Sequence, residues 1–358
     1  MAKVFHIRWL PLASPGETHE ASHMEEPLKE AAERIERIGN LLLFRRELLQ
    51  LGEMSLQTVR RMLELGEAVP IAQGVYMRAG AWQSLFPGEK LLAKTLGHAK
   101  LNASRGWVFT HESAAAIWNL PLWNLRSLRV HIATSEHSPT RSSAPVMRHL
   151  CTLGNDEVIE QSGLRFTSLT RTVVDLALRA PQELAIGVAD AGLRLLHPGS
   201  RGESSAAAED WKHEQSEMLM LTSRPGVRNA RTVIAMADPR ADSVLESVSR
   251  LQLERLGVAY EMQVAVETQR GGTYWIDFEF LEQDVFGEVD GNVKYFDRDM
   301  RGHVSAEEVL RAEKTREDDI RGLTGKRIVR WQAEHLTSAR KLGDRLARFG
   351  VRVPGWSD

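Results

Sequence analysis

The stretch YWIDFEFLEQDVFGEVD (274–290) constrains the fold more than any other part of the chain. Two runs of alternating apolar and acidic residues flank LEQD, a pattern of period two that reads as a β-hairpin. With Leu281 facing Asp284, counting back brings Asp277 opposite Glu288. Alternation then puts Asp277 and Glu279 on one face and Ile276, Phe278 and Phe280 on the other. On the partner strand Glu288 and Asp290 share a face, with Val285 and Val289 opposite. Directly opposed side chains have β-carbons about 4.5–5.5 Å apart, and like charges at that separation destabilise a sheet. Something must compensate the acids.

Two compensations fit the residues. A divalent cation such as Mg2+ or Mn2+ takes oxygen ligands, commonly one or two carboxylates with waters and phosphate oxygens. Lys294, a few residues on, could offer a donor to a phosphate or an attacking water. Two carboxylates, a metal and a lysine suit phosphodiester hydrolysis. The alternative is a solvated face whose carboxylates pair with Lys or Arg, and spacing alone leaves both open.

At 358 residues the chain has room for two or three domains. Its 42% hydrophobic and 26% charged residues are ordinary for a soluble globular protein. The single cysteine, Cys151, excludes an internal disulfide framework and a Cys-rich zinc site, which fits a cytoplasmic location. No apolar run reaches the length of a membrane span, and the opening residues show no signal-peptide core. The formal net charge of −2 makes no global case for nucleic acid, so any such case is local.

Residues 1–25 are expected to be a disordered tail. Residues 26–38 read as a charged helix with Leu28, Ala31, Ala32, Ile35 and Ile38 on one side. From 41 to 77 the pattern predicts a helix, Gly52, a second helix capped by Ser55, and a ribbon turning at Gln73–Gly74. Two short helices and a ribbon make a winged helix-turn-helix over 26–80. Residues 81–196 mix helices and strands as an α+β domain. The polar, Gly/Ser/Ala-rich 197–215 reads as a linker, and 197–240 as that linker with a connecting helix. Over 241–350 the order is helix, three strands, helix, strand and a last helix near 336–348, a compact α/β unit. The chain as a whole is multidomain α+β.

The series DSVLES, YWIDFEF, GEVDGNVKY, AEKTREDDIR and RIVRW resembles the Vsr-like branch of the PD-(D/E)xK restriction-endonuclease-like superfamily. Upstream, IAQGVYM, THESAAAIWNLPL, LTRTVVDLAL and VADAGLR resemble AbiEi-type antitoxins of type IV toxin–antitoxin and abortive-infection systems. The resemblance spans about residues 40–335. It implies a Mg2+- or Mn2+-dependent endonuclease in a phage-defence or toxin–antitoxin setting, with DNA and a cognate toxin as partners. By position, Asp277 corresponds to the metal-binding aspartate, Glu288 to the acid of the (D/E)xK element and Glu246 to a glutamate of the preceding helix. Asp290 stands where the strict motif has lysine, a Glu-x-Asp form in which Lys294 further on takes the phosphate. The competing expectation is an inactive antitoxin or transcriptional autorepressor.

Other readings stand beside these. Ser243-Val244-Leu245-Glu246 is a capping box, which by itself accounts for Glu246. Val309, Glu313, Arg316, Ile320 and Leu323 recur on one helical stripe, so Glu313 and Arg316, with Lys314 beside them, are secondary site candidates; exposed i,i+4 ion pairs are the alternative. DNA contact by the winged helix would rest on Arg45, Arg46, Gln57, Thr58, Arg60 and Arg61. Glu47, Glu53, Glu64 and Glu67 nearly cancel those arginines, which leaves protein–protein use open. His111, His131 and His149 lack metal-ligand spacing and read as packed or solvated. Trp107, Trp118 and Trp123 read as core.

Overall fold

The computed structural model describes residues 20–46, 55–134, 145–199, 202–268, 271–290 and 306–356. Among them are twelve α-helices and three sheets, a mixed α+β architecture. The chain divides into two compact units, one of residues up to 198 with 210–237, the other of 199–209 with 238 onward.

The first unit begins with α1 (Glu20–Gly39), which buries Ala31, Ile35 and Ile38 along one side. Helix starts at Glu20, inside the region expected to be a tail. Strand β1 (Leu42–Phe44) replaces the expected start of a helix at 41. It pairs antiparallel with β3 (Val75–Arg78), Leu42 facing Met77. A three-residue apolar run carries no period, so its strand partner decides its conformation. Residues 47–54, which would hold most of that expected helix, lie outside the described residues. Helix α2 (Leu56–Glu64) starts where expected, Ser55 accepting the Thr58 N–H. Strand β2 (Ala68–Ala72) turns into β3 through Gly74 at φ +73°, and the sheet order is β1-β3-β2.

There follow α3 (Ala79–Ser84), α4 (Pro87–Leu101), β4 (Val108–Phe109), α5 (His111–Ile117), β5 (Val130–Thr134), β6 (Val146–Leu150), β7 (Val158–Gln161), β8 (Leu164–Thr167), α6 (Leu169–Arg179) and α7 (Gln182–Leu196). The five strands run in the order β6-β5-β4-β8-β7, with β5/β6 and β4/β8 parallel. Phe109, Ile132 and Phe166 are fully buried, and Trp118 meets Phe166 edge-on, as core tryptophans do.

The expected linker with its connecting helix holds two helices, the first of which begins inside the 197–215 stretch read as linker. Helices α8 (Ala206–Met220) and α9 (Val227–Met236) occupy it, and the boundary between units at 209/210 falls within α8. The alanine-rich start favours helix, and burial of Trp211, whose indole donates to Thr170 Oγ1, holds the next turn in place. Asn229 on α9 donates to the Ala177 carbonyl at the end of α6.

The second unit follows the expected order. It comprises α10 (Val244–Leu256), β9 (Tyr260–Glu267), β10 (Thr273–Phe280), β11 (Val285–Asp290), α11 (Ala306–Thr324), β12 (Arg327–Gln332) and α12 (Ala339–Arg348). Its sheet runs β12-β11-β10-β9, antiparallel except for the parallel β11/β12 pair. The hairpin keeps the expected register, with Phe280 facing Val285 and Phe278 facing Gly287.

The expected faces hold only beyond Asp277. Phe278 and Phe280 pack against Trp331, whose indole donates to Ser249 on α10. Ile276 packs instead with Val266, Phe286 and Ile320 of α11, on the other side of the sheet. Glu279, paired with Phe286, shares that α11 side. Alternation therefore breaks at Asp277. Opposite it on β9, Gln263 has φ +49°, a left-handed conformation that interrupts the pleat as a bulge does.

Candidate functional site

The break in alternation gives Asp277 its environment. Its Oδ2 accepts the Val289 N–H at 2.9 Å, so the side chain takes the donor next along β11. Glu246 comes from the first turn of α10 and Glu288 from the middle of β11, both buried. Desolvation pushes the Asp277 carboxyl up to about 8. The neighbouring charges of Glu246 and Glu288 add to the rise, while the Val289 N–H and Arg316 oppose it. The fold thus gathers the three acids that lie 42 positions apart in sequence.

Glu246 performs the capping role. Its Oε1 accepts the Ser243 hydroxyl, its Oε2 accepts the Asp242 N–H and the Gln263 amide, and the Ser243 hydroxyl accepts the Glu246 N–H. Burial raises its carboxyl above the usual range, with those hydrogen bonds opposing. The same residue that caps α10 therefore adds negative charge beside Asp277.

Arginines compensate Glu288. Arg316 Nη2 donates to Oε1 at 2.5 Å, and Arg330 Nε and Nη2 donate to Oε2 at 3.1 and 3.0 Å. Arg316 also donates to Glu313 Oε1 and to the Trp275 carbonyl. Arg330 continues to Glu313 at 2.6 Å and Glu317 at 2.7 Å. Glu279, on the α11 side, pairs with Lys326. Hairpin carboxylates paired with Lys and Arg were the alternative reading, and Glu288 and Glu279 follow it.

The remaining candidates divide. Asp290 is exposed at the end of β11, raised by partial burial, with Arg330 Nε 3.9 Å away. Glu313 and Arg316 join the cluster, whereas Lys314 is exposed. Leu323, expected on the apolar stripe, is exposed, and Glu317–Arg321 forms an i,i+4 pair at 2.7 Å. Lys294 lies outside the described residues. Sequence reading missed Arg330 and Gln263. Arg330 stands opposite Glu288 through parallel pairing, which no local signal encodes.

In the first unit, Gln57, Thr58, Arg60 and Arg61 are exposed on α2, and Thr58 is bonded to the Ser55 cap. Arg45 and Arg46 lie elsewhere, lining a cleft of about 740 Å³ with Arg105, Arg148, His98 and Trp107. Among the described residues, no carboxylate lines that cleft. Trp107 is half-buried, with Arg148 5.7 Å over its ring and His98 stacked at 6.5 Å, so it belongs to the cleft wall more than to the core.

The three histidines, far apart in sequence, meet. His111 stacks on His149 at 3.7 Å, and His149 Nε2 lies 3.0 Å from His131 Nδ1. Thr110 Oγ1 lies 3.1 Å from His111 Nδ1 and donates to Asp175 Oδ2, which Arg171 holds through the other carboxylate oxygen. Burial drives His111 down to about 4 and His149 to about 2. Packed histidines were expected; their mutual contact was not. Nearby, burial raises the Cys151 thiol to about 11, which leaves it unreactive.

Among the described residues, no three His, Cys, Asp or Glu side chains stand in a ready ligating arrangement, and no helix is long and apolar enough to cross a membrane. No protein-family model matches the chain, and no curated protein shows significant similarity to it.

Proposed function

We propose that the C-terminal unit is a metal-dependent phosphodiester hydrolase of the restriction-endonuclease-like kind, on a protein whose N-terminal unit holds DNA. The setting would be toxin–antitoxin or phage defence. The observation that carries this reading is Asp277. Its carboxyl sits beside two further carboxylates, is raised to about 8, and has the Val289 N–H as its donor. A cation would relieve that arrangement.

The donor set fits a hard cation in kind, since it consists of carboxylate oxygens. Asp277 and Glu288 would hold Mg2+ or Mn2+, with Glu246 behind them. The ion, when bound, supplies an ionised water as nucleophile and offsets charge developing on phosphorus. Glu288 would exchange its arginines for the ion. Arg316 and Arg330, each about one-quarter exposed, would then turn their guanidiniums to phosphate oxygens, a fit that forked donors make in pairs. Asp290 would support the site and Lys294 would add a donor to the scissile phosphate.

The N-terminal cleft supports nucleic acid as the ligand: four arginines, with no lining carboxylate among the described residues, favour a phosphate backbone locally despite the chain's net charge.

The test is thermal melting with and without Mg2+ or Mn2+ for wild type, Asp277→Ala, Glu288→Ala and Lys294→Ala, beside cleavage of single-stranded, nicked, mismatched and duplex DNA. Both carboxylate variants lose the metal response and cleavage, whereas Lys294→Ala keeps the response and loses turnover. A wild type with neither response nor cleavage defeats the catalytic reading. The second reading would then hold, a nuclease-shaped domain in an antitoxin or autorepressor. The double arginine grip on Glu288, which replaces a metal electrostatically, favours it.

A further inference from the structure

Phosphate binding alone leaves part of the arginine-lined cleft in the first unit unexplained. Its wall carries apolar and aromatic surface as well as charge: Trp107 is half-buried, Leu101 is 47% exposed, and His98 lies nearly parallel to the Trp107 ring. Singly, such residues are ordinary on a protein surface. Here they share one concave wall with Arg45, Arg46, Arg105 and Arg148. Burial, with the charge of Lys94 adding to it, holds His98 below the usual histidine range. Its ring is therefore neutral at pH 7 and presents a π face rather than a further cation.

On the reading of the cleft as a nucleic-acid surface, we infer that it takes an unpaired stretch of strand, with phosphates on the arginines and a base against Trp107. In a duplex the bases stack on one another, and proteins reach only phosphates, sugars and groove edges. The apolar wall would then gain no partner. A single strand can turn a base outward, and aromatic side chains beside a basic groove are how proteins hold such strands. The cleft's volume of about 740 Å³ is that of a cavity for a drug-sized ligand, roughly one or two nucleotides. Two paired strands do not fit into it.

Elements far apart in sequence build the two sides. Arg45 and Arg46 follow β1, and the Arg45 N–H donates to the Gly74 carbonyl, 2.9 Å away, at the turn between β2 and β3. Lys100 Nζ lies 4.1 Å over the Phe44 ring, which ties that end of β1 to the last turn of α4. Leu101 ends the same helix. The short turn Ala103–Arg105 follows, closed by Gly106 at φ +58°, where a left-handed glycine sends the chain on through Trp107 into β4. Arg165 Nη1 fixes that corner by donating to the Gly106 carbonyl at 3.2 Å. Arg148 comes from β6 and reaches over the Trp107 ring at 5.7 Å. A guanidinium beside an indole keeps its full charge and its forked donors, so it serves a phosphate next to a stacked base.

The experiment is fluorescence anisotropy with the full chain in chelator and labelled DNA of about 12 nucleotides, within the usual span of such sites. Three ligands are compared: a single strand, its duplex, and the same strand with abasic sites, which keep every phosphate. Wild type is measured beside Trp107→Leu and Trp107→Phe. Wild type is expected to bind the single strand at least tenfold tighter than the duplex. Abasic sites remove that preference, Trp107→Leu removes it, and Trp107→Phe, which retains an aromatic face, keeps it. Equal, salt-dependent binding of strand and duplex overturns the inference while leaving the cleft a backbone-binding surface. A preference that survives either the abasic strand or Trp107→Leu also overturns it. Binding of neither strand nor duplex defeats the nucleic-acid reading of the cleft as well. Should Trp107→Leu melt early, the abasic strand decides, because it needs no substitution.

Discussion

Glu288 and Arg330 stand opposite each other in the parallel β11–β12 pair, and Arg330 Nη2 lies 3.0 Å from Glu288 Oε2. Arg330 also reaches Glu313 and Glu317 on α11, so one guanidinium ties the sheet to the helix over it. Glu288 is buried, and its pairing with Arg330 and Arg316 offsets the cost of taking it out of water. The same pairing occupies the oxygens that a metal would need.

Arg330→Met therefore has two effects. It leaves Glu288 short of a partner and costs about 1–3 kcal/mol, less than for a fully buried pair because Arg330 is partly solvated. It also frees Glu288 Oε2, so under the proposed function the melting response to Mn2+ grows. Chemical denaturation with and without Mn2+ reads both, and a response smaller than wild type would count against the metal reading.

Asp277 gives a pH dependence. Its folded carboxyl is raised from an ordinary 3.8 to about 8, so between these values the folded chain binds more protons than the unfolded one. Its contribution is fully present below pH about 4 and is lost as pH rises toward 8 and beyond. Asp277→Asn removes that loss, and in chelator its melting temperature exceeds wild type by more at pH 9 than at pH 5. Melting scans across that range check the sign.

Gly287 is the close-approach position beside Glu288. A β-carbon there would lie 2.6 Å from Trp331 and 3.1 Å from Phe280, two rings of the packed face. Gly287→Ala is expected to cost about 1–3 kcal/mol by overpacking and to disturb Glu288 next to it. Denaturant midpoints measure the loss.

The cleft and α2 are separable as DNA-contact surfaces. If the cleft holds the backbone, Arg105→Ala with Arg148→Ala flattens the dependence of binding on salt by about two phosphate contacts, more than Arg60→Ala with Arg61→Ala does. Fluorescence anisotropy on duplex DNA at several salt concentrations compares them. Equal slopes for the cleft variant and wild type would remove it.

Much of the local structure was legible in the residues. Ser55 and Ser243 cap helices because their side chains accept an N–H of the first turn wherever a helix starts. The hairpin register follows from LEQD and two-residue alternation, and the element order of the second unit from the change of apolar period. Glu246 was legible as a cap, since that bond is local.

Tertiary structure decided the rest. Leu42–Phe44 became a strand because β3 offered its edge. Residues 206–220 and 227–236 became helices because Trp211 and Asn229 found partners on and beside α6. Alternation broke at Asp277 because Gln263, on the neighbouring strand, turned left-handed. Arg330 met Glu288 across a parallel crossover, and His111, His131 and His149 met through a helix start and two strands. Each of these contacts joins residues whose separation along the chain carries no period, so only the folded packing brings their charges and lone pairs within reach.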